Sequence, residues 1–245
     1  MAFLNIWNIT RRELVSYFNS PVSYVFIVIF LLLSGFFTFM VGDFFGRGES
    51  DLYAFFQWFP WLFLVLVPAL GMNIWADEKR MGTIELLFSL PLTTFQCISG
   101  KFLAAWGFLI FAVLLTFPIV ITVAWLGDPD YGPIICGYAG CFLLGGAYLG
   151  ITCMTSAMTS SQVVSFIISE VICLFLIFCG WGPFTDMLVN WAPAWLIDTA
   201  ASFSVMSHFT SIRRGVIDSR DIIYYCSIIV FSLFTTAMLL KNHRS

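Results

Sequence analysis

The chain has 245 residues, 60% of them hydrophobic and 10% charged, with a mean hydropathy of +0.94, and so carries more apolar surface than a protein in water can hide. That composition excludes a soluble protein and identifies an integral membrane one. The net charge of −3 says little by itself, since the acids concentrate on one set of loops, and nucleic acid is not an expected partner.

The first predicted element is an amphipathic helix over 3–19. Phe3, Leu4, Ile6, Trp7, Leu14, Val15, Tyr17 and Phe18 fall on one half of its wheel, and Asn5, Asn8, Arg12, Glu13, Ser16 and Asn19 on the other; Ile9 and Arg11 break the pattern. Such a helix lies in a membrane interface, with Arg11, Arg12 and Glu13 as its charged anchors, and turns at Ser20-Pro21 into the first span. No basic region followed by a short apolar core and a cleavage site opens the chain, so the first span is expected to be retained.

Six apolar stretches follow, near 22–41, 56–75, 102–126, 134–157, 162–182 and 222–240. Each approaches the roughly 20 residues that a helix needs to cross a hydrocarbon core of about 30 Å. Alternating ten-residue segments are absent, so helices alone can satisfy the backbone in lipid, and the expected fold is an all-α bundle of six spans in a single domain.

The break after the second stretch, Asp77-Glu78-Lys79-Arg80-Met81-Gly82-Thr83-Ile84-Glu85-Leu86-Leu87-Phe88-Ser89-Leu90-Pro91, is the most specific segment of the sequence. Gly82 permits a turn, Thr83 can cap a short helix, Glu85 suits its first turn and Pro91 ends it, which predicts a charged peg over 82–91. Further along, the fourth span contains Gly137, Gly140, Gly145, Gly146 and Gly150, a pattern for close helix packing within one protomer. Before it, Asp128-Pro129-Asp130-Tyr131-Gly132 reads as a tight turn. Glu170 is the carboxylate deepest in a span, and two readings stand beside each other: contact with substrate or a proton, or a hydrogen bond to a neighbouring helix through Ser165, Ser169 or a backbone carbonyl.

Between spans five and six, 183–221 is too apolar for a free loop. Phe184, Met187, Leu188, Trp191, Trp195, Leu196 and Ile197, with Pro183 and Pro193, predict short broken helices re-entering the membrane. His208, without a second ligand in spacing, is expected to serve a structural hydrogen bond, and Asp218-Ser219-Arg220-Asp221 to cap span six. The seven cysteines form no CxxC pair and read as small apolar residues, with no metal site indicated. For topology, Arg11, Arg12, Lys79, Arg80, Lys101, Lys241 and Arg244 lie on one set of loops, and Arg47, Arg213, Arg214 and Arg220 on the other. The basic excess makes the first set, with both termini, cytoplasmic.

The 77–91 break resembles the ABC-2 family of transporter permeases, whose loop after the second span has the pattern Glu-x-x-x-Gly-Thr-x-Glu-x-Leu-x-x-x-Pro. Glu78, Gly82, Thr83, Glu85, Leu87 and Pro91 match it. The span number, the N-terminal helix and the segment before the last span extend the likeness along the chain, and Ser207-His208-Phe209 with Arg214-Gly215-Val216-Ile217-Asp218 and Asp221 is similar to the branch of gliding-motility and nitrous-oxide-reductase-maturation permeases. The resemblance implies that 82–91 is a coupling helix seated in an ATPase subunit, that two permease chains, as copies or paralogues, work with two ATPase subunits in a bacterial inner membrane, and that ATP and Mg are bound by the partner. A large periplasmic or auxiliary subunit is a further implied partner. The function it implies is export driven by a separate ATPase; the alternative is mechanical or assembly work on an envelope partner.

The plain alternative for the loop, a capped turn with no partner, sits poorly with six spaced matches in the right loop. No phosphate loop is present, since Gly100-Lys101 is followed by Phe102 and lacks an upstream glycine. An intramembrane protease would need a Ser-His or Asp-Asp pair at membrane depth, and a channel would need polar stripes along the spans; neither pattern occurs.

Overall fold

The computed structural model describes residues 2–42, 44, 51–85, 92–184, 199 and 202–242, and among these every regular element is a helix. Helix α1 (Ala2–Asn19) ends at Ser20, whose extended backbone precedes Pro21 at the first position of α2 (Pro21–Phe36); the proline ring disfavours helical geometry at Ser20 and places the bend there. A π-helical turn, Phe37–Val41, continues α2 and closes on the Gly42 N–H donating to the Phe37 carbonyl at 2.8 Å. Next come α3 (Tyr53–Gln57), α4 (Phe59–Gly71), α5 (Asn73–Met81), α6 (Thr94–Leu114), α7 (Pro118–Leu126), α8 (Tyr131–Met158), α9 (Gln162–Phe178), α10 (Val205–Arg213) and α11 (Ser219–Asn242).

Among the described residues, five helical stretches are long and apolar enough to cross a membrane: Pro21–Val41, Phe59–Met81, Thr94–Leu126, Tyr131–Met158 and Ser219–Lys241. The expected fifth of six, 162–182, is a helix of 17 residues, Gln162–Phe178. It spans about 26 Å at 1.5 Å per residue, a little less than a hydrocarbon core. The predicted re-entrant helices fall mostly on 185–198, outside the described residues; within the described part of that segment, α10 is a short helix.

Helix α8 is the hub, packed against α4, α5, α6, α9, α10 and α11. Its glycines make that possible inside one chain. A Cβ on Gly145 would stand 2.5 Å from Leu109 Cδ2, and one on Gly150 would touch Ser232 and the backbone of Ile229. The core around it buries Trp75, Tyr148, Tyr225, Phe30, Phe59 and Phe63 completely or nearly so. Outward, α2 presents Val22, Val25, Val28, Leu32 and Met40, and α11 presents Ile223, Val230, Phe231, Phe234 and Met238. An apolar surface of that extent belongs in lipid, which makes the chain a multi-pass membrane protein.

Candidate functional site

At the end of the bundle that carries α1, three elements meet on one lysine. A capping box, with the Gln96 N–H donating to Thr93 Oγ1 and the Thr93 N–H to Gln96 Oε1, starts α6 at Thr94. Lys101 therefore lies two turns inside the helix, not at the edge that hydropathy gave to the third span. It is 8% exposed. Its Nζ stands 2.8 Å from Glu78 Oε1 on α5 and 3.7 Å from Glu13 Oε2 on α1, and 5.5 Å from the centre of the Trp75 ring. Glu13 also takes Arg12 Nη2 at 2.7 Å. A buried ammonium needs such partners, and removing one half of a buried pair typically costs about 3 kcal/mol.

Helix α1 reaches this cluster because Gly100 lets it approach. A Cβ there would lie 2.6 Å from Ile9 Cγ2, and the Thr10 hydroxyl donates to the Gly100 carbonyl at 3.3 Å. Ile9, an interruption of the predicted wheel, is buried in the contact, whereas Leu4, Trp7 and Val15 of the predicted apolar half are exposed. The predicted half-wheel is thus split in two. Ile6, Ile9, Leu14, Tyr17 and Phe18 face the protein in whole or in part, and Tyr17 stacks on Phe108 with ring centres 5.4 Å apart. Burial, with the Glu13 carboxylate adding to it, pushes the Tyr17 phenol well above its ordinary pKa, so it stays neutral.

A second set of bonds joins α5 to the hub. Helices α4 and α5 part at Met72, and Ser156 of α8 enters the gap: its Oγ accepts from the Trp75 and Ala76 N–H groups at 3.0 Å each and donates to the Met72 carbonyl at 2.8 Å. Trp75 Nε1–H points to Cys153 Sγ at 3.2 Å. Lys79 Nζ donates to the Ala157 carbonyl, and Gln162 Nε2 to Asp77, which also pairs with Arg80 at 3.1 Å. A cavity of about 610 Å³ opens beside the cluster between α1, α2 and α4–α5, with Ser16, Ser20, Ser23, Glu13, Glu78 and Lys101 on its polar side and Val25, Phe26, Ile29 and Leu66 on its apolar side.

The six positions of the loop motif have different surroundings. Glu78 turns inward to Lys101, and its Oε2 is buried with no hydrogen-bond partner. Gly82 ends α5 in the left-handed conformation (φ 68°), with its N–H on the Lys79 carbonyl and the Thr83 N–H on the Glu78 carbonyl. Thr83 Oγ1 also donates to the Glu78 carbonyl, at 3.4 Å, so this side chain helps to close α5; the helix it is expected to cap lies mostly outside the described residues. Glu85 is exposed, as are Arg80 and Met81 beside it and Arg11 and Arg12 on α1. Leu87 and Pro91, with most of the 82–91 helix, lie outside the described residues.

Glu170 is half-buried on α9, and its Oε2 has no hydrogen-bond partner. Neither serine of the expected helix tie serves it: Ser169 donates to the Ser165 and Phe166 carbonyls, and Ser165 approaches Thr155. At the other end of the bundle, His208 Nδ1 meets Asp221 Oδ1 at 2.6 Å, Nε2 meets the Ser202 carbonyl at 3.1 Å, and the ring stacks on Tyr224, as a structural hydrogen-bonding role requires. Asp218 accepts from the Arg220 N–H at 3.0 Å. Asp221, expected to complete that cap, is instead turned to His208.

The sequence marks Lys101 as a basic charge beside Gly100, not as the centre of a buried cluster, and gives Ser156 no mark at all. The Thr93-x-x-Gln96 capping box was a signal for the first, because it starts the helix early enough to carry Lys101 inside; nothing in the pattern marks one serine of α8 from its neighbours. A family model described as ABC-2 family transporter protein matches residues 59–193, more than half of the chain and all of α4 to α9. No curated protein matches the chain.

Proposed function

Because this chain belongs to the ABC-2 family of transporter proteins, which implies an ABC ATPase partner and a place in the membrane, we propose that it is the permease subunit of an exporter driven by that ATPase. In this reading six helices cross the inner membrane of a bacterium, α9 being the short one, and both termini with the α1 end of the bundle are cytoplasmic. Two such chains and two ATPase subunits make the working unit, and ATP with Mg is held by the ATPase.

The observation that carries the reading is the join between the loop motif and the hub. Exposed Arg80, Met81 and Glu85 present the 82–91 segment to a partner, while Glu78, just behind them, is tied through Lys101 to α1 and α6. Closure of the ATPase pair pushes on 82–91. The push enters α5, which Ser156 fastens to α8 beside the Met72 break, so the fourth span moves with the loop instead of the second span bending under it. The chain converts motion and leaves the chemistry to its partner. Nothing in the geometry favours the alternative of purely mechanical work.

Co-expression with the ATPase subunit tests this. The two should purify together and hydrolyse ATP, whereas the isolated chain in detergent should show no turnover above background, having no phosphate loop of its own. Hydrolysis by the isolated chain would overturn the assignment.

A further inference from the structure

The opposite end of the bundle holds a buried cation with no counter-ion among the described residues. Arg213, in the last turn of α10, is 8% exposed. Its Nη2 donates to Tyr53 Oη at 2.7 Å and its Cζ lies 4.0 Å from the centre of the same ring. The Nε is buried with no hydrogen-bond partner, and among the described residues no carboxylate pairs with the guanidinium. A desolvated guanidinium is costly to leave so, and its planar fork suits an oxyanion. Burial lowers its pKa while Tyr53 opposes the shift, yet an arginine stays charged at neutral pH.

This side chain lines a cavity of about 270 Å³ where the 51–57 segment, the first turn of α8 and the end of α10 converge. Gly215, at φ 87°, folds the chain after α10 against Pro133, which sets the two arginines beside that first turn. Arg214 lies at the same cavity with two exposed carboxylates, Asp51 and Asp130, so four charged groups of zero net charge surround the space. Both acids are already spent on local caps, Asp51 accepting from the Tyr53 N–H at 3.2 Å and Asp130 from the Gly132 N–H at 2.9 Å, and each keeps an oxygen for a ligand. Balanced charges suit a group that carries both signs. Trp125, 93% exposed, and Tyr131 flank the cavity in the chain, and such aromatics mark the headgroup level of a bilayer.

We propose that this cavity binds a phosphoethanolamine group, its phosphate oxygens accepting from Arg213 with Arg214 at the rim and its ammonium donating to Asp51 and Asp130. The group comes from a phospholipid headgroup or from soluble O-phosphoethanolamine, and the volume admits either while excluding the acyl chains.

The full-length chain, delipidated in detergent, would be titrated in native mass spectrometry with phosphatidylethanolamine, phosphatidylcholine and phosphatidylglycerol of identical acyl chains. The wild type is expected to retain phosphatidylethanolamine over the other two by about tenfold, the scale of one charged hydrogen bond. Displacement by O-phosphoethanolamine identifies a site open to the free compound; no displacement, with that preference intact, identifies the lipid as the source. Arg213→Gln should abolish retention of all three lipids at this site. Because Arg213 is buried and its variant can fail to fold, Asp51→Asn combined with Asp130→Asn is the second test: asparagine preserves both local caps and should erase the preference for phosphatidylethanolamine over phosphatidylglycerol. Equal retention of the three lipids by the wild type, or an unchanged preference in the double asparagine variant, would overturn the proposal.

Discussion

Lys101 is the residue on which the α1 end of the molecule turns, since one ammonium neutralises carboxylates from two other elements. Lys101→Met should destabilise the chain by about 3 kcal/mol, as loss of one half of a buried pair does. Adding Glu78→Gln should recover part of that, because the orphaned charge goes too, and thermal unfolding of the two variants in detergent reads the difference. Glu170 poses the opposite question, a half-buried carboxylate whose Oε2 has no hydrogen-bond partner among the described residues. If it serves substrate or proton movement, Glu170→Gln keeps assembly and lowers ATP turnover of the reconstituted complex severalfold. If it only ties helices, Gln is silent and Glu170→Leu loses about 1 kcal/mol of stability, the scale of a membrane hydrogen bond.

Between elements, two contacts fix the α1 end of the bundle, α1 on α6 and α5 on α8. Gly100→Leu would drive a side chain into Ile9, so α1 should lift away from α6 at a cost of about 1–3 kcal/mol, measured as increased labelling of a cysteine placed at position 14. Ser156→Ala would strand the Trp75 and Ala76 N–H groups. The variant should lose about 1–3 kcal/mol for an unsatisfied buried donor, with ATP turnover falling as α5 loosens from the hub. These contacts also show what could be read from the chain alone. The helices were legible because spans of apolar residues, Pro21 and the fourth-span glycines are local signals. The contacts were not, because hydropathy drew the third span from 102 and left Lys101 outside it, and because an amphipathic wheel cannot distinguish a face for lipid from a face for protein. Ile9 was read as an interruption for that reason, though a glycine on α6 receives it. Glu78 likewise matched a motif by spacing, and spacing does not reveal that its side chain points inward.

For the whole molecule, the basic-residue asymmetry predicts that in a cysteine-depleted chain a cysteine at position 130 reacts with an impermeant maleimide from outside the cell and one at position 80 does not. The reverse would invert the orientation. The central claim is that the segment beginning at Gly82 is gripped by an ATPase while its root is fixed to the bundle, and exposed Glu85 is the described residue of the motif placed to test it. Replacing Glu85 with a photo-crosslinking amino acid in the assembled complex measures this most directly. A covalent adduct with the ATPase subunit is expected, and is lost when the probe stands instead at exposed Phe231 on α11; an intact, ATP-hydrolysing complex with no adduct from position 85 would overturn the grip.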